Sequence, residues 1–423
     1  MATNQRRTNQ TTANRARAGQ NRPAPQARTQ AVAKKKKSKV KIIVFAIEIV
    51  IILIMLAVLY FVMNISDKGP IWLVIDPEEL AIPEEIQQAK EDGNSQMADY
   101  MNIALFGVDA LNEKQFRKLQ ANEQDAESTK STGIRSDSTM IASINMATGD
   151  IKLVSVYRDT YLNTGTDRYE KCNAAFSRGG PKQAMKMLNM NLDMDIEKFV
   201  AVSYGGVIEL IDALGGVWID VDKSELKHIN NYQKSIVASW KYGIALTDDT
   251  DPSVIDSKVK KSDYTPVTET GYQLLNGLQA TAYCRIRYTA GNDYKRAERQ
   301  REVLQAIEAQ AKSLAKKNPA ELTKIFNSVI ENVCTNIEVN DMLALLGKIL
   351  DYQVVGQDGF PQADLRVSHN IGAKGDCVIP RDLEANVVWL HKFLFDEDDY
   401  EVTKTVKEIN QQIKDDTNKY LNN

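Results

Sequence analysis

Arginine and aspartate residues recur together in the middle of this chain, each time near the end of an apolar segment. The residues concerned are Asp109, Arg135 with Asp137, Arg158 with Asp159, Arg285 with Arg287, and Asp293 with Arg296. An aspartate just beyond the carboxyl end of a strand is a common position for ligand binding in an α/β sheet. Several guanidinium groups at such a position suit a pyrophosphate, whose oxygens they bind in pairs. Paired carboxylates beside phosphate oxygens also suit Mg²⁺, so the pattern predicts a site for a metal-bound phosphate group.

Arg296 and Gln300 extend this pattern onto a predicted helix. Their spacing of four places both side chains on one face. Both lie in the first two turns, where free N–H groups favour an anion. Lys171 is a further candidate for phosphate binding. Taken singly, each arginine or aspartate is better explained by an ordinary salt bridge, whereas the complete set favours a shared anion site.

Two other kinds of site have little support in this sequence. The histidines, His228, His369 and His391, lie outside polar motifs, so a Ser–His–Asp or Cys–His arrangement is disfavoured. No glycine-rich nucleotide loop is present. The four cysteines, Cys172, Cys284, Cys334 and Cys377, permit disulfides whose pairing stays open, with Cys334–Cys377 as the first choice.

The elements that would position these residues alternate between strands and helices. Apolar runs predict strands at Ile103–Val108, Thr139–Ile144, Ile151–Val156, Phe199–Ser203 and Val217–Val221. Predicted helices start at Gly179-Gly180-Pro181 and at Gly206, and a long helix covers Tyr294–Lys316. This alternation predicts an α/β fold, with a mixed central sheet flanked by helices in α-β-α layers.

Two stretches are predicted to differ from this alternation. Residues 222–270 are polar and predict an irregular insertion or mobile flap. Residues 311–423 predict a helical C-terminal portion packed on the domain 98–310. Its helices are expected at Ala320–Asn332, Asn340–Leu350, Leu383–Phe395 and Val402–Tyr420.

Charge and hydropathy divide the chain near residue 64. Of its 53 Lys and Arg residues, 12 lie in residues 1–41, which contain no Asp or Glu; the remainder carries 41 basic against 56 acidic residues, a net charge of −15. The run Ile42–Met63 is 22 residues long and nearly all apolar, enough at about 1.5 Å per residue to cross a bilayer core. The basic residues before it place the N-terminus in the cytoplasm. We therefore expect a disordered basic tail (1–41), one transmembrane helix (42–63) and an extracytoplasmic stalk (64–97).

Seven segments, in this order, resemble the LytR–CpsA–Psr family of cell-wall glycopolymer transferases. They are NIALFGVDA (102–110), RSDSTMIASIN (135–145), LVSVYRDTYL (153–162), KCNAAFSRGG (171–180), LIDALGGVWIDV (210–221), LLNGLQATAYCRIR (274–287) and NDYKRAERQREVL (292–304). The basic tail and single span are also typical of that family. The resemblance implies a catalytic domain at 98–310, outside the cell membrane.

The resemblance further implies a phosphotransferase that uses Mg²⁺, with Mn²⁺ as an alternative. It would move a phosphoglycan, such as teichoic acid or capsule, from a polyprenyl-pyrophosphate carrier to a peptidoglycan hydroxyl, without a nucleic-acid partner. Asp109 and Asp137 would hold the metal, while Asp159 and Asp293 would orient arginines and one aspartate would act as base. The phosphates and head group would be bound by Arg135, Arg158, Lys171, Arg285, Arg287, Arg296 and Gln300; the catalytic residues among all of these would be Asp137, Asp159, Arg285 and Arg287.

Two positions depart from the family pattern. Ala110-Leu111 follow Asp109 where the family usually has Ser-Arg, and Tyr157 stands where it commonly has proline before Arg-Asp.

Three alternatives to transfer stay open. They are a lipid pyrophosphate hydrolase at the same site, a non-catalytic lipid-carrier or glycan-binding protein, and a regulator that binds nucleic acid through the basic tail. The outward orientation of the folded part disfavours the third.

Overall fold

In this computed structural model the described residues begin at position 71. They are 71–108, 134–244, 252–287, 292–318, 321, 325, 332–337 and 353–421. The predicted tail (1–41), the predicted span (42–63) and Asp109 lie outside these ranges. Among the helices within them, none combines the length and the hydrophobicity needed to cross a membrane.

Most of the strands in these ranges belong to one mixed sheet. In chain order they are β1 (Ile71–Trp72), β2 (Tyr100–Val108), β3 (Ser136–Asn145), β4 (Asp150–Val156), β5 (Tyr161–Asn163), β6 (Tyr169–Lys171), β7 (Lys198–Ser203), β8 (Val217–Val221), β9 (Gly271–Leu275), β10 (Val333–Thr335), β11 (Gln353–Phe360), β12 (Arg366–Asn370) and β13 (Asp376–Pro380). The central sheet has the order β1-β10-β7-β2-β3-β4-β11. Because β2 runs parallel to β7 but antiparallel to β3, the predicted mixed sheet is confirmed.

Helices flank this sheet, as predicted. In chain order they are α1 (Glu84–Glu91), α2 (Asn173–Leu192), α3 (Tyr204–Ala213), α4 (Leu226–Tyr242), α5 (Pro252–Lys258), α6 (Gly277–Tyr283), α7 (Asn292–Lys317), α8 (Leu383–Phe395) and α9 (Lys404–Leu421). α2, α8 and α9 share the largest apolar core with the central sheet, around Phe106 and Phe176. α3, α4, α6 and α7 enclose a second core with β8 and β9, around Ile211, Ile286 and Val303.

The Gly-Gly-Pro motif forms a kink in α2 and does not start it. The helix begins at Asn173, and Gly179 and Gly180 interrupt it. Gly180 has a φ of +63°, which favours glycine, and Pro181 has no N–H to donate to the preceding turn. The part before the kink reaches the loop that follows β4, where the Asn173 N–H donates to the Arg158 carbonyl oxygen at 3.2 Å.

The prediction of an irregular insertion at 222–270 is wrong for much of its described part. α4 buries Ile229, Gln233, Ile236 and Val237, whose spacing of i, i+4, i+7 and i+8 places them on one helical face. Its other positions are mostly polar because they face solvent. The low apolar content of the stretch therefore concealed an amphipathic helix.

The prediction of a helical C-terminal portion at 311–423 is wrong in part, because this portion also contains strands. β10 and β11 join the central sheet, and β12 with β13 forms a separate hairpin. β11 has few apolar residues and two glycines, and it becomes a strand by pairing with β4 at the sheet edge. The predicted helix Leu383–Phe395 is confirmed, and α9 begins two residues after the predicted Val402.

The four cysteines are free thiols. The favoured Cys334–Cys377 pair is not formed, since Cys334 lies on β10 of the central sheet and Cys377 on β13. Cys172 lies beside the loop after β4, and its Sγ donates to the Tyr157 carbonyl oxygen at 3.2 Å. Burial raises the pKa of this thiol, so Cys172 is a neutral packing residue.

Candidate functional site

Strand registers bring several predicted site residues to one edge of the central sheet. Val108, the last residue of β2, pairs with Ser136 of β3 and with Ser203, the last residue of β7. The carboxyl end of β4 reaches the same edge, because its last residue, Val156, pairs with Thr139 near the start of β3. Asp137, the loop after β4 and the start of α3 therefore lie side by side. Ligands of open α/β sheets bind at edges of this kind.

Asp137 is the centre of a group of cationic side chains. One carboxylate oxygen accepts from Arg158 Nη1 at 2.5 Å, and the other accepts from the Tyr204 hydroxyl. Burial alone would raise the pKa of Asp137. The charges of Arg158, Arg285 and Arg296, with the Tyr204 hydrogen bond, outweigh burial and hold this pKa well below its usual range. The carboxylate is therefore ionised, and its single negative charge is smaller than the summed positive charge of the three guanidinium groups.

Asp159 holds a second set of cations beside the first. Its carboxylate lies 3.1 Å from Lys171 Nζ, 3.1 Å from Arg287 Nη2 and 3.8 Å from Arg158 Nε. Asp159 is 3% exposed, so its own side of these ion pairs is shielded from water. Asp159 thereby fixes three of the predicted phosphate-binding side chains, which is the geometry expected of a residue that orients them.

Arg285 reaches this group because α6 packs closely on α3. A Cβ at Gly277, the first residue of α6, would lie 2.2 Å from the Ile208 carbonyl oxygen, so only glycine allows the approach. Arg285 follows α6, and its Cζ lies 4.9 Å from the centre of the Tyr204 ring and 5.9 Å from that of Tyr232. Both distances are within the range of cation–π attraction.

α7 carries Arg296 and Gln300 in its first turns. Arg296 is buried and Gln300 half-buried. The helix is held by Arg299, whose Nε lies 2.7 Å from Glu225 Oε1 and whose Nη1 donates to the Ile286 carbonyl oxygen at 3.2 Å. Both charged partners are buried, and removing one of them typically costs about 3–5 kcal/mol. This pair fixes the position from which Arg296 approaches Asp137.

The profile of the LytR_cpsA_psr family matches residues 77–371, well over half of the chain. The chain belongs to the LytR_cpsA_psr family. This family member is 27% identical over 259 residues to Biofilm regulatory protein A of Streptococcus mutans, covering 59% of the chain and 53% of that protein. It is 28% identical over 221 residues to the polyisoprenyl-teichoic acid–peptidoglycan teichoic acid transferase TagU of Enterococcus faecalis, covering 52% and 59%. The chain spans about half the length of the curated relatives it matches.

A solved structure with a similar fold is that of protein gbs0355 from Streptococcus agalactiae. Its crystal structure matches with a TM-score of 0.51 and 24% identity, over 75% of this chain and 94% of that chain. At this identity the likeness concerns the fold alone. The family match also extends past residue 310, the predicted end of the catalytic domain, and includes β10, β11 and β12.

The cationic group described above does not include four predicted residues of this LytR_cpsA_psr member, one of which is Gln300, half-buried in α7. Arg135 precedes β3 and is exposed. Asp109 lies outside the described residues, and Asp293 is described only as a position within α7. In the described ranges, no three or more His, Cys, Asp or Glu side chains come together as metal ligands.

The structure adds site residues that the sequence analysis missed. Tyr204 donates to Asp137 and faces Arg285, and Glu225 with Arg299 anchors α7. Tyr204 lies in no arginine–aspartate cluster. Its one sequence signal is its place directly after the predicted strand Phe199–Ser203, whose carboxyl end reaches the site edge.

Proposed function

We propose that this chain is a phosphotransferase of the bacterial envelope. It would move a phosphoglycan from a polyprenyl-pyrophosphate carrier to a peptidoglycan hydroxyl and release polyprenyl phosphate. The observation that carries the proposal is the convergence of Arg158, Arg285 and Arg296 on Asp137. The name of the relative TagU, a polyisoprenyl-teichoic acid–peptidoglycan teichoic acid transferase, supports the substrate class.

The cationic group suits the charge changes of phosphoryl transfer. The transferred group spreads negative charge over its outer oxygens, and the leaving phosphate gains charge as the bond breaks. Guanidinium groups that are held in place before the reaction stabilise this charge without reorganising. Arg158 is fixed by Asp137 and Asp159, and Arg287 by Asp159, so these side chains meet that condition.

The proposed step exchanges one phosphorus–oxygen bond for another. The oxygen of a peptidoglycan hydroxyl attacks the phosphorus on the glycan side. The bond from that phosphorus to the bridging oxygen breaks, and polyprenyl phosphate leaves with the electron pair. We assign the hydroxyl proton to a carboxylate of the site, Asp137 or Asp159, each of which is held in place by cationic side chains.

Asp137 also fits the proposed Mg²⁺, with Mn²⁺ as an alternative. Mg²⁺ in phosphate sites is bound by one or two carboxylates, and phosphate oxygens and water complete its shell. Asp137 offers an ionised carboxylate at the cationic group, and the second predicted ligand, Asp109, lies outside the described residues. A bound ion would neutralise part of the pyrophosphate charge.

We propose a single-pass membrane location with the C-terminal domain outside. The support is the apolar run 42–63, preceded by basic residues. The test uses cysteines introduced at Thr3 and Asn422, in a background that lacks the four native cysteines. In intact cells, an impermeant thiol reagent should label the second site alone; labelling of the first alone would contradict the orientation.

The function is tested with the full-length chain in detergent, a polyprenyl-pyrophosphoryl glycan, Mg²⁺ and peptidoglycan fragments. We expect a phosphodiester-linked product. Arg285→Ala should lower its rate of formation roughly 100-fold, because one preorganised charge is lost. Arg168→Ala is the matched control, since Arg168 is an exposed arginine on the turn between β5 and β6 and should leave the rate unchanged.

Each other outcome has a defined meaning. Absence of the phosphodiester product with the wild-type chain would contradict transfer. Free phosphoglycan without a linked product would favour the hydrolase alternative. Equal loss in Arg285→Ala and Arg168→Ala would show that the effect of Arg285 is not specific to the site.

A further inference from the structure

Arg366 of β12 is held by two tyrosine rings. Its Cζ lies 3.8 Å from the ring centre of Tyr294 and 4.9 Å from that of Tyr157. The two rings meet edge to face, with centroids 4.7 Å apart and planes at 78°. Nη1 of Arg366 also donates to the Tyr157 hydroxyl at 3.1 Å and to the Pro361 carbonyl oxygen at 2.7 Å. Planar stacking combined with directed hydrogen bonds suits arginine and does not suit lysine.

The two tyrosines belong to the two elements that deliver arginines to Asp137. Tyr157 directly precedes Arg158 in the loop after β4, and Tyr294 lies two residues before Arg296 in α7. Arg366 therefore connects these two elements from a third one. We call these three residues, Tyr157, Arg366 and Tyr294, the tyrosine–arginine clamp.

Backbone contacts show that the C-terminal strands hold the same loop from both sides. The Tyr157 N–H donates to the Phe360 carbonyl oxygen of β11 at 3.0 Å. The Val378 N–H of β13 donates to the Asp159 carbonyl oxygen at 2.8 Å. The loop that contains Arg158 and Asp159 is thus hydrogen-bonded to the C-terminal strands on both sides of Arg158.

Gly359 leaves the space that the clamp needs. A Cβ at this position would lie 2.0 Å from the Tyr157 hydroxyl oxygen and 2.5 Å from its Cζ. Any larger residue would therefore displace the Tyr157 ring from Arg366. Tyr157 is also the position at which this chain departs from the proline common in the family, so the clamp makes use of that departure.

We propose that Arg366 is a positioning residue for the phosphotransferase reaction, an inference that rests on the proposed function. Arg158 and Arg296 approach the same carboxylate, that of Asp137, and their positive charges repel each other. The loop after β4 and helix α7, which contain these arginines, therefore need a contact that holds them together. The clamp supplies this support and sets the separation at which the two guanidinium groups meet a pyrophosphate. Arg366 contacts Tyr157 and Tyr294 and acts through these two residues.

The experiment compares Arg366→Ala, Arg366→Lys and Gly359→Ala in the full-length chain. A displacement of catalytic groups by about 1 Å costs roughly 100-fold in rate, so we expect a kcat loss of that order in Arg366→Ala, with a much smaller change in KM for the lipid-linked glycan. Gly359→Ala should reproduce the loss with Arg366 present, and Arg366→Lys should recover little of it. Arg381→Ala, an exposed arginine after β13, is the matched control.

Amide hydrogen exchange gives a readout that does not depend on catalysis. We expect faster exchange in residues 157–160 and 292–300 of Arg366→Ala, with no change in α8. If the wild-type chain lacks transfer activity but these segments exchange faster in the variant, the proposed function fails and the clamp stands. If the wild-type chain is active and Arg366→Ala or Arg366→Lys keeps the wild-type kcat, the positioning inference is overturned; Arg366→Lys serves if the alanine variant does not fold.

Discussion

Two aspartates of this protein, Asp137 (partly buried) and Asp193 (fully buried), each accept a hydrogen bond from a tyrosine hydroxyl but differ in their other partners. Asp137, at the site edge, is bound by Tyr204 and by Arg158. Asp193 follows α2, where its φ of +51° ends the helix, and it is bound by Tyr400 at 3.0 Å. Its remaining partners are the backbone N–H and the hydroxyl of Thr403, at 2.8 Å and 2.6 Å.

The difference in partners reverses the electrostatics. Burial raises the pKa of Asp193, and its hydrogen bonds and the nearby His391 lower it by less, so the result is an increase. For Asp137 the arginine charges exceed the effect of burial, and the pKa falls. Burial of a carboxylate therefore does not by itself indicate a functional site. Neutral donors make Asp193 a connection between α2 and the segment before α9, whereas excess guanidinium charge leaves the surroundings of Asp137 able to bind an anion.

The largest expected difference between the two aspartates is in transfer activity. Asp137→Asn should lower the rate of phosphodiester formation roughly 1000-fold, because it removes the charge that organises the arginines. Asp193→Asn is the matched change in a buried aspartate outside the site, and it should leave the rate near that of the wild-type chain. Initial rates for the three full-length proteins measure the contrast. Equal losses in both variants would mean that burial, and not the arginine partners, decides the effect.

The second contrast removes one hydroxyl from each region. A hydrogen bond to a charged group contributes about 1.5–3 kcal/mol, so Tyr204→Phe should lower the transfer rate roughly 10-fold. Tyr400→Phe should leave the rate unchanged and lower the free energy of unfolding by about 1 kcal/mol. Transfer assays and denaturant unfolding of both variants provide the measurements. A loss of activity in Tyr400→Phe would show that the C-terminal connection also shapes the site.

Much of the site could be predicted from the sequence because its residues lie in local patterns. The apolar run after Asp137 corresponds to β3, and the apolar run before Arg158 corresponds to β4. The predicted long helix with Arg296 corresponds to α7. Strand register then brings these ends together, which follows from parallel and antiparallel pairing once the strands are known. The contacts of Asp159 with Lys171 and Arg287 follow from opposite charges at the same edge.

The parts that could not be predicted depend on contacts between distant segments. Arg366 lies 209 residues from Tyr157, and no local spacing indicates that they stack. β11 is a strand because β4 offers an edge for it, and its own residues do not show the alternation of a strand. α4 was not predicted for a different reason. Most of its residues are polar, and its few apolar residues lie on one buried face.

The smallest expected contrast is in the pH dependence of stability, and its sign differs between the aspartates. The pKa of Asp193 is raised on folding, so its contribution to stability is fully present below the unfolded pKa, about 4, and is lost as the pH rises through the folded pKa. The pKa of Asp137 is lowered on folding. Its contribution is present above about 4 and is lost as the pH falls towards the folded pKa.

The asparagine variants turn these signs into opposite slopes, because asparagine does not titrate. As the pH rises above about 4, Asp193→Asn should gain stability relative to the wild-type chain. As the pH rises through the acid range up to about 4, Asp137→Asn should lose stability relative to it. Denaturant unfolding of the three proteins across both windows gives the two slopes. Slopes of the same sign would mean that folding shifts the pKa of both aspartates in the same direction. The arginines would then not hold Asp137 in its ionised form.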